Sequence, residues 1–323
     1  MIPAAVLRVC GQPPSIEERR PPVPHAGELP IRVAAAPITP LDLLCASGTS
    51  YFGQPATPYV PGVQGVGHRD DGTPVWFATS AGMRPGDGSM AGEVAIPYVD
   101  VVPLPPEAPL PLIAALGLSA VAAHAALTRT GGLTDGEVVV VLGAGGVVGQ
   151  AAIQLALLGG ASRVVAVSRS VSALDRAREL GAEETVQLLP TDDPSTLATR
   201  LRAVAGLVDL VLDPVFGVPA AAALRVLRPR GRLVNLGSSA GATAPLDSAT
   251  LRSGSLQILG YTNNALSVGE RADSLGVVAA HATAGRLTVS HEVTPFTEVA
   301  TAWSRQAAGT AQGRIVLSFD APV

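Results

Sequence analysis

The longest apolar stretch of the chain, 138–161, runs for 24 residues without a charged side chain. A helix of that length would cross a bilayer. The order of residues indicates another structure, because the valines from Val138 to Val141 precede four glycines between 143 and 149. β-Branched residues favour a strand, and clustered glycines favour a turn. The stretch therefore predicts a buried strand, a tight turn and a helix that ends at Gly159 and Gly160, rather than a membrane span.

The alternation of strands and helices continues along the chain. A helix over "QAAIQLALL" would turn Ala152, Leu155 and Ala156 toward a sheet. A strand in "RVVAVSRS" and a helix in "SALDRARELGA" follow, and then come strands in "VDLVLDPV", "GRLVNLGSS" and "LQILGYT". Strands that alternate with helices form a parallel sheet with helices on both faces. We therefore expect an α/β domain with a doubly wound parallel sheet.

The glycine turn has the chemistry of an anion site. Its sequence "GAGGVVG" reads G-x-G-G-x-x-G, which departs from the usual G-x-G-x-x-G, but it lies between a strand and a helix as that motif requires. Glycines let the backbone approach a ligand closely, and a helix N-terminus offers free N–H donors. We expect the pyrophosphate of a dinucleotide to bind the backbone of Gly143, Gly145, Gly146, Val147, Val148 and Gly149.

The end of the second strand indicates which dinucleotide binds. NAD-binding proteins carry an acidic residue there for the ribose 2′-hydroxyl, whereas this chain has Ser168 and Arg169. A guanidinium can bind a 2′-phosphate in a bidentate manner, so the pair favours NADPH. Asp175 lies on the following predicted helix and does not replace the missing acid. Gly237, in the turn after a later strand, is a further candidate for cofactor binding.

Composition excludes several classes of protein. Apolar residues make up 47% of the chain, charged residues 15%, and the net charge is −4, so no basic surface for nucleic acid is expected. The N-terminus has Pro3 and Arg8 within its short apolar run and no cleavage pattern of a signal peptide, which leads us to expect a cytoplasmic protein. The low charge favours a homodimer.

Lysine does not occur in the chain, and all 22 basic side chains are arginine. A lysine Schiff base, a pyridoxal-phosphate anchor and a P-loop lysine are therefore excluded. The short-chain dehydrogenases are excluded as well, because their catalytic Tyr-x-x-x-Lys pair needs a lysine.

Motifs spread over nearly the whole chain resemble one known family. The chain is similar to the medium-chain dehydrogenase/reductases and, within them, to the zinc-free quinone oxidoreductases. The similar segments are "ITPLDLLCASG", "YVPGVQGVG", "GLSAVAAHAAL", "VVVVLGAGGVVGQAAIQLA", "ARELGAEETV", "VDLVLDPVFG", "LRPRGRLVNLGSSAG" and "GRIVLSF". The resemblance implies a Rossmann domain inserted into a β-rich, GroES-like catalytic domain. We place the catalytic domain at 1–118 plus 287–323 and the Rossmann domain at 119–286, since the Pro-rich "VVPLPPEAPLP" marks a boundary.

The resemblance also shows where a catalytic zinc would be held. Zinc-dependent members use a cysteine three residues before an aspartate, and a His-Glu pair after Pro-Gly. This chain has Thr39 before Asp42, and Val63-Gln64 after its Pro-Gly, and none of these is a suitable zinc ligand. Its two cysteines, Cys10 and Cys45, also fall short of the family's four-cysteine lobe. We expect no metal.

The remaining candidates for chemistry come from the same resemblance. Tyr51 matches a tyrosine near the nicotinamide in related reductases, where it could donate a proton, although a packing role is an equal alternative. Ser119 matches a position near the nicotinamide ribose, and Arg314 is a candidate for the cofactor phosphates. The Gly-rich loop from Met83 to Met90 is expected to form part of the substrate pocket wall. The predicted pocket residues are Thr39, Tyr51, Tyr59 and Met90, of which Tyr59 is also interpreted as structural.

Without a Lewis acid, hydride transfer favours an electron-poor conjugated acceptor. The sequence therefore predicts an NADPH-dependent, zinc-independent oxidoreductase that acts on a quinone or an α,β-unsaturated carbonyl. One alternative is a dedicated enoyl reductase acting on a polyketide or acyl intermediate. Another is a nucleotide-binding structural or regulatory protein without turnover.

Overall fold

The structure is a computed structural model that describes residues 1–319. It divides into two compact units, of which unit 1 comprises Met1–Gly117 and the chain from Leu275 onward, and unit 2 comprises Leu118–Ser274. The chain thus changes unit at 117/118 and again at 274/275. The domain limits expected from the sequence, at 118/119 and 286/287, stay a proposal.

The described residues form fifteen strands and nine α-helices. In chain order these are β1 (Ile2–Val6), β2 (Ser15–Arg19), β3 (Glu28–Pro37), α1 (Pro40–Ser47), β4 (Gln64–His68), β5 (Pro74–Ala78), β6 (Glu93–Pro97), β7 (Val101–Pro103), α2 (Leu110–Ala125), β8 (Val138–Leu142), α3 (Val147–Leu158), β9 (Arg163–Ser168), α4 (Val171–Glu179), β10 (Glu184–Gln187), α5 (Pro194–Ala205), β11 (Val208–Asp213), α6 (Gly217–Leu224), β12 (Leu227–Asn235), α7 (Ser248–Gly254), β13 (Gln257–Gly260), α8 (Val268–Thr283), β14 (His291–Pro295), α9 (Val299–Ala307) and β15 (Arg314–Ser318).

Unit 2 contains a six-stranded sheet in the order β10-β9-β8-β11-β12-β13, and every pair of neighbours is parallel. Counted from β8, this order is 3-2-1-4-5-6, the order of a Rossmann sheet. The predicted doubly wound parallel sheet is therefore confirmed. The strand order reverses between β8 and β11, and in such folds this switch point is where ligands bind, outside the carboxyl ends of the strands.

The apolar stretch 138–161 forms a strand, a turn and a helix, as predicted. Strand β8 is fully buried from Val139 to Leu142 because helices cover both faces of the sheet. The sequence predicted that Ala152, Leu155 and Ala156 of α3 would face the sheet. Helix α3 is buried more extensively than this, since every residue from Gly149 to Ala156 is buried.

A different helical stretch, Leu110–Thr130, is long and apolar enough to cross a membrane by those criteria alone. About two thirds of its most apolar window (67%) is buried inside the protein, and the backbone departs from helical geometry at Gly117 (φ 30°, ψ −130°). The stretch therefore forms a kinked core helix.

Unit 1 is built on a seven-stranded mixed sheet in the order β14-β15-β3-β4-β5-β7, with β6 also paired to β3. A separate hairpin pairs β1 with β2. The core of this unit is aliphatic and aromatic, and it includes the fully buried side chains of Leu7, Ile31, Phe77 and Met90. Helix α1 follows β3 at the carboxyl end of that strand and carries the first candidate site residues.

Candidate functional site

The glycine turn of unit 2 lies at the carboxyl end of β8. Gly143 has a φ of +65°, and a Cβ there would lie 2.7 Å from Val215 Cγ1. At Gly149 a Cβ would lie 2.4 Å from the carbonyl oxygen of Gly143. Both positions therefore need glycine, the first for its backbone conformation and the second because α3 packs directly on the turn.

The start of α3 leaves hydrogen-bond donors available. Gly146 is the N-cap residue in an extended conformation, and no side chain caps the first N–H groups of the helix. Gly145 and Gly146 are exposed, and the Nε2 of Gln150 donates to the Gly145 carbonyl at 3.0 Å, which holds the turn. Uncapped N–H groups beside exposed glycine backbone fit the pyrophosphate of a dinucleotide. The turn thus brings together the predicted residues Gly143, Gly145, Gly146, Val147, Val148 and Gly149.

Ser168 and Arg169 lie beside this turn, because a Cβ on Gly145 would be 3.5 Å from Ser168 Oγ. Arg169 is exposed, its carbonyl accepts from Gln187 Nε2 at 3.1 Å, and no carboxylate among residues 1–319 pairs with its guanidinium. Asp175 is engaged elsewhere, since its Oδ1 accepts from Arg178 Nη1 at 2.7 Å.

Hydroxyl groups surround the N-terminus of the next helix. Ser170 is the N-cap residue of α4, and its Oγ accepts from the Ala173 N–H at 3.4 Å and lies 2.8 Å from Ser172 Oγ. Arg169 thus lies between Ser168 and Ser170 in the chain, directly before the positive end of α4. This environment is polar and cationic, as a phosphate requires.

Two polar residues of unit 2, the buried Asp213 and the half-buried Asn235, were missed by the sequence reasoning. Asp213 ends β11 with no exposed surface, Asn235 ends β12, and Asn235 Nδ2 donates to Asp213 Oδ2 at 2.9 Å. Burial raises the pKa of Asp213. Nδ2 of Asn235 also donates to the Gly237 carbonyl at 2.8 Å, which fixes the predicted Gly237 at this end of the sheet. The available signal was a polar residue at the end of each apolar strand, in "VDLVLD" and "GRLVN".

Ser119 and Arg314 belong to different units. Ser119 lies half-buried in unit 2, two residues after the kink of α2 at Gly117. Arg314 begins β15 in unit 1 and is buried there, with Nη1 donating to the Ile38 carbonyl at 3.3 Å. Burial lowers the pKa of Arg314 to about 10, although the nearby charge of Asp42 opposes that shift.

In unit 1, Thr39 and Val63, two of the three positions compared above with zinc ligands, bind the carboxylate of Asp42. Asp42 accepts from the N–H and the hydroxyl of Thr39 through Oδ2, at 2.8 and 2.5 Å. Its Oδ1 accepts from the N–H groups of Gly62 and Val63, at 3.1 and 2.9 Å. Burial raises the pKa of Asp42, and these hydrogen bonds act in the opposite direction. Asp42 therefore ties the start of α1 to the turn before β4.

Gln64 is buried beside this turn. Its Oε1 accepts from Trp76 Nε1 at 3.2 Å and its Nε2 donates to the Ala114 carbonyl at 3.4 Å. A Cβ on Gly117 would lie 2.0 Å from Gln64 Oε1, so the kink of α2 packs against this amide. Within residues 1–319, no three His, Cys, Asp or Glu side chains are grouped to hold a metal ion.

The predicted pocket residues lie in different environments. Tyr51 follows α1, is 78% exposed and stacks at a tilt on Phe52, with ring centroids 4.2 Å apart. Tyr59 is buried in the core of unit 1, where burial raises the pKa of its hydroxyl. Met90 has no exposed surface and Thr39 is 5% exposed. Of the four, only Tyr51 presents its side chain to solvent in the structure.

Comparisons with known proteins agree with this architecture. The family described as zinc-binding dehydrogenase matches residues 147–275. The human synaptic vesicle membrane protein VAT-1 homolog is 28% identical over 237 residues, which cover 70% of this chain and 57% of that protein. A polyketide synthase protein of Streptomyces orinoci, NorB of the spectinabilin system, is 34% identical over 165 residues, which cover 49% of this chain and 7% of NorB. The chain thus matches about half the length of the first relative and a small part of the second.

Among solved structures, the quinone oxidoreductase of Thermus thermophilus, whose complex with NADPH is also known, is 28% identical to this chain. The alignment covers 98% of this chain and 100% of the other, with a TM-score of 0.82. The similarity thus extends over both units of the chain.

Proposed function

The chain belongs to the medium-chain dehydrogenase/reductase superfamily, in its zinc-free, quinone oxidoreductase-like branch, and from this we propose that it is an NADPH-dependent reductase of quinones or α,β-unsaturated carbonyls. The observation that carries the proposal is the glycine turn with its uncapped helix beside Ser168 and Arg169. These residues fit a dinucleotide with a 2′-phosphate. The NADPH complex of the Thermus protein supports the same cofactor.

The residues of unit 2 would hold the cofactor in two places. The backbone of 145–148 would donate to the pyrophosphate, and the Arg169 guanidinium would pair with the 2′-phosphate. When bound, NADPH supplies a hydride. The chain's own contribution to the rate is then orientation of the two reactants and exclusion of water.

The residues of unit 1 favour an acceptor that needs no Lewis acid. Thr39 donates its hydroxyl to Asp42, Val63 has no donor atom in its side chain, and the Gln64 amide bonds Trp76 and Ala114. None of these supplies the thiolate, imidazole or carboxylate that zinc prefers. Conjugated carbonyls and quinones accept hydride at an already electron-poor carbon. The exposed Tyr51 hydroxyl would donate a hydrogen bond to the oxygen on which charge develops.

The test is a steady-state assay of NADPH and NADH oxidation with three acceptors: a para-quinone, an unsaturated ketone and an enoyl thioester. We expect turnover with NADPH on the first two and weaker use of NADH. Tight NADPH binding without turnover on any acceptor would favour a structural or regulatory protein. Absence of binding to either nucleotide would contradict the proposal.

A dedicated enoyl reductase is the second candidate. It is favoured by one observation, the 34% identity to a part of the NorB polyketide synthase. A kcat/KM that is higher on the enoyl thioester than on the small quinone and ketone would select this candidate. We further propose that the protein is cytoplasmic and that it forms a homodimer. Sedimentation velocity would measure the oligomeric state.

A further inference from the structure

The carboxyl ends of β11 and β12 carry a hydrogen-bonded network built on two side chains. Asp213 and Asn235 are cross-strand neighbours in the sheet. Oδ1 of Asp213 accepts from the N–H groups of Val215 at 3.1 Å and Phe216 at 2.7 Å. Nδ2 of Asn235 donates to Asp213 Oδ2 and to the carbonyls of Asp213 and Gly237, at 2.9, 3.1 and 2.8 Å. The two side chains thus fix the loops that follow both strands.

The loop that Asp213 holds is strained and lies against the glycine turn. Phe216 has a φ of +59° and ψ of −157°, a backbone conformation that residues other than glycine rarely adopt. The adjacent Val215 places Cγ1 2.7 Å from the position of a Cβ on Gly143. The carboxylate that binds the Phe216 N–H therefore stabilises both the strained residue and the contact with the turn.

The network is placed on one side of the switch point. In the sheet order, β9 with Ser168 and Arg169 lies on one side of β8, and β11 and β12 lie on the other. A dinucleotide in this fold binds across the switch point, with its adenosine ribose at the end of the second strand. The other half of the dinucleotide, which carries the nicotinamide, therefore belongs on the side of Asp213 and Asn235.

The network continues toward Ser119, a candidate cofactor-binding residue. The Asn235 carbonyl accepts from the Tyr261 N–H at 2.8 Å, and the Tyr261 hydroxyl donates to Asn263 Oδ1 at 2.6 Å. Nδ2 of Asn263 then donates to the Leu118 carbonyl at 3.1 Å, one residue before Ser119. One hydrogen-bonded chain therefore connects β11, β12 and the segment after β13 to the start of the second half of α2.

We propose that Asp213 and Asn235 are positioning residues for the nicotinamide half of NADPH, holding the backbone of 214–217 and 236–237 in the binding geometry. This inference rests on the proposed function, because it requires that NADPH binds. It assigns the two residues no contact with the adenosine half of the cofactor.

The test compares two ligands by isothermal titration calorimetry. Adenosine 2′,5′-bisphosphate reports the side of Ser168 and Arg169 alone, and NADPH reports both sides. We expect Asn235→Ala and Asp213→Asn to raise the Kd for NADPH by about tenfold or more. The first removes a part-buried hydrogen bond to the Asp213 carboxylate, and the second places an amide N–H group opposite another donor. The Kd for the bisphosphate should stay unchanged.

Asn264→Ala is the matched control, because Asn264 is exposed in the same unit and its side chain makes no hydrogen bond within residues 1–319. We expect it to leave both affinities unchanged. Equal weakening of both ligands in the Asn235→Ala protein would overturn the inference, since it would indicate a general structural role, and so would unchanged NADPH affinity in both variants. A wild-type protein that binds neither ligand would instead overturn the proposed function itself, together with the inference.

Discussion

Arg169 determines the expected preference for NADPH, because its guanidinium is exposed and no carboxylate among the described residues pairs with it. We expect Arg169→Ala to raise the Kd for NADPH by about tenfold to a hundredfold, the equivalent of a lost charge-assisted hydrogen bond, and to leave the Kd for NADH unchanged. Fluorescence titration with both nucleotides measures this. Arg252→Ala, at another exposed arginine of unit 2, is the control. Equal losses with both nucleotides would contradict the assignment.

Tyr51 is the exposed hydroxyl among the predicted pocket residues, and its role depends on the substrate. Hydride addition to an enone leaves charge on oxygen, which a phenol can stabilise and protonate. We expect Tyr51→Phe to lower kcat on an enone by roughly tenfold to a hundredfold, and kcat on a quinone less, because reduced quinones pick up protons from solvent. Tyr98→Phe, at another exposed tyrosine of unit 1, serves as control. Unchanged kcat on both substrates would leave Tyr51 with a packing role.

At the scale of a single element, two helical glycines should respond in opposite ways to the same substitution. In α3 a Cβ at Gly149 would lie 2.4 Å from the Gly143 carbonyl oxygen, so Gly149→Ala must move the helix away from the turn. We expect a lower melting temperature and at least about tenfold weaker NADPH binding, because the helix N-terminus shifts from its ligand. In α8 Gly276 is exposed and has open space, and Gly276→Ala should raise the free energy of unfolding by up to about 1 kcal/mol.

Calorimetric unfolding and NADPH titration of the two variants decide this comparison. A Gly149→Ala protein with the affinity and melting temperature of the wild type would show that α3 does not need to pack on the turn. A destabilised Gly276→Ala protein would contradict the prediction, because it would show that a methyl group at this position of α8 is not accommodated freely.

For the whole molecule we expect activity without a metal. Thr39, Val63 and Gln64 occupy the ligand positions, and the nearby Asp42 carboxylate already accepts four hydrogen bonds from Thr39, Gly62 and Val63. Elemental analysis of the purified protein should find no stoichiometric zinc, and incubation with a chelator should leave the rate of NADPH oxidation unchanged. Loss of activity on chelation, restored by added zinc, would show that other ligands bind a catalytic metal.

Local sequence patterns were sufficient to predict the parallel sheet and the turn that follows β8. The run of valines, the clustered glycines and the apolar helix of 147–158 lie within two dozen residues, and each has a conformational preference that depends only on its neighbours in the chain. The position of the Ser168-Arg169 pair at the end of β9 could be predicted for the same reason, because the change from a strand pattern to a helix pattern shows where the strand ends.

Contacts between residues distant in the sequence determined the hydrogen-bond partners and the burial of the other site residues. Asp42 meets Gly62 and Val63 about twenty residues later, and Asp213 meets Asn235 at a similar separation, through hydrogen bonds that leave no periodic signal in the sequence. The same holds for Met90 and Tyr59, since a residue type does not tell whether a loop buries it in the core or leaves it at a surface. These positions depend on how the strands pair and pack. Residue type and spacing alone therefore identified the glycine turn that we propose binds the cofactor, whereas tertiary packing determined which polar side chains support that turn.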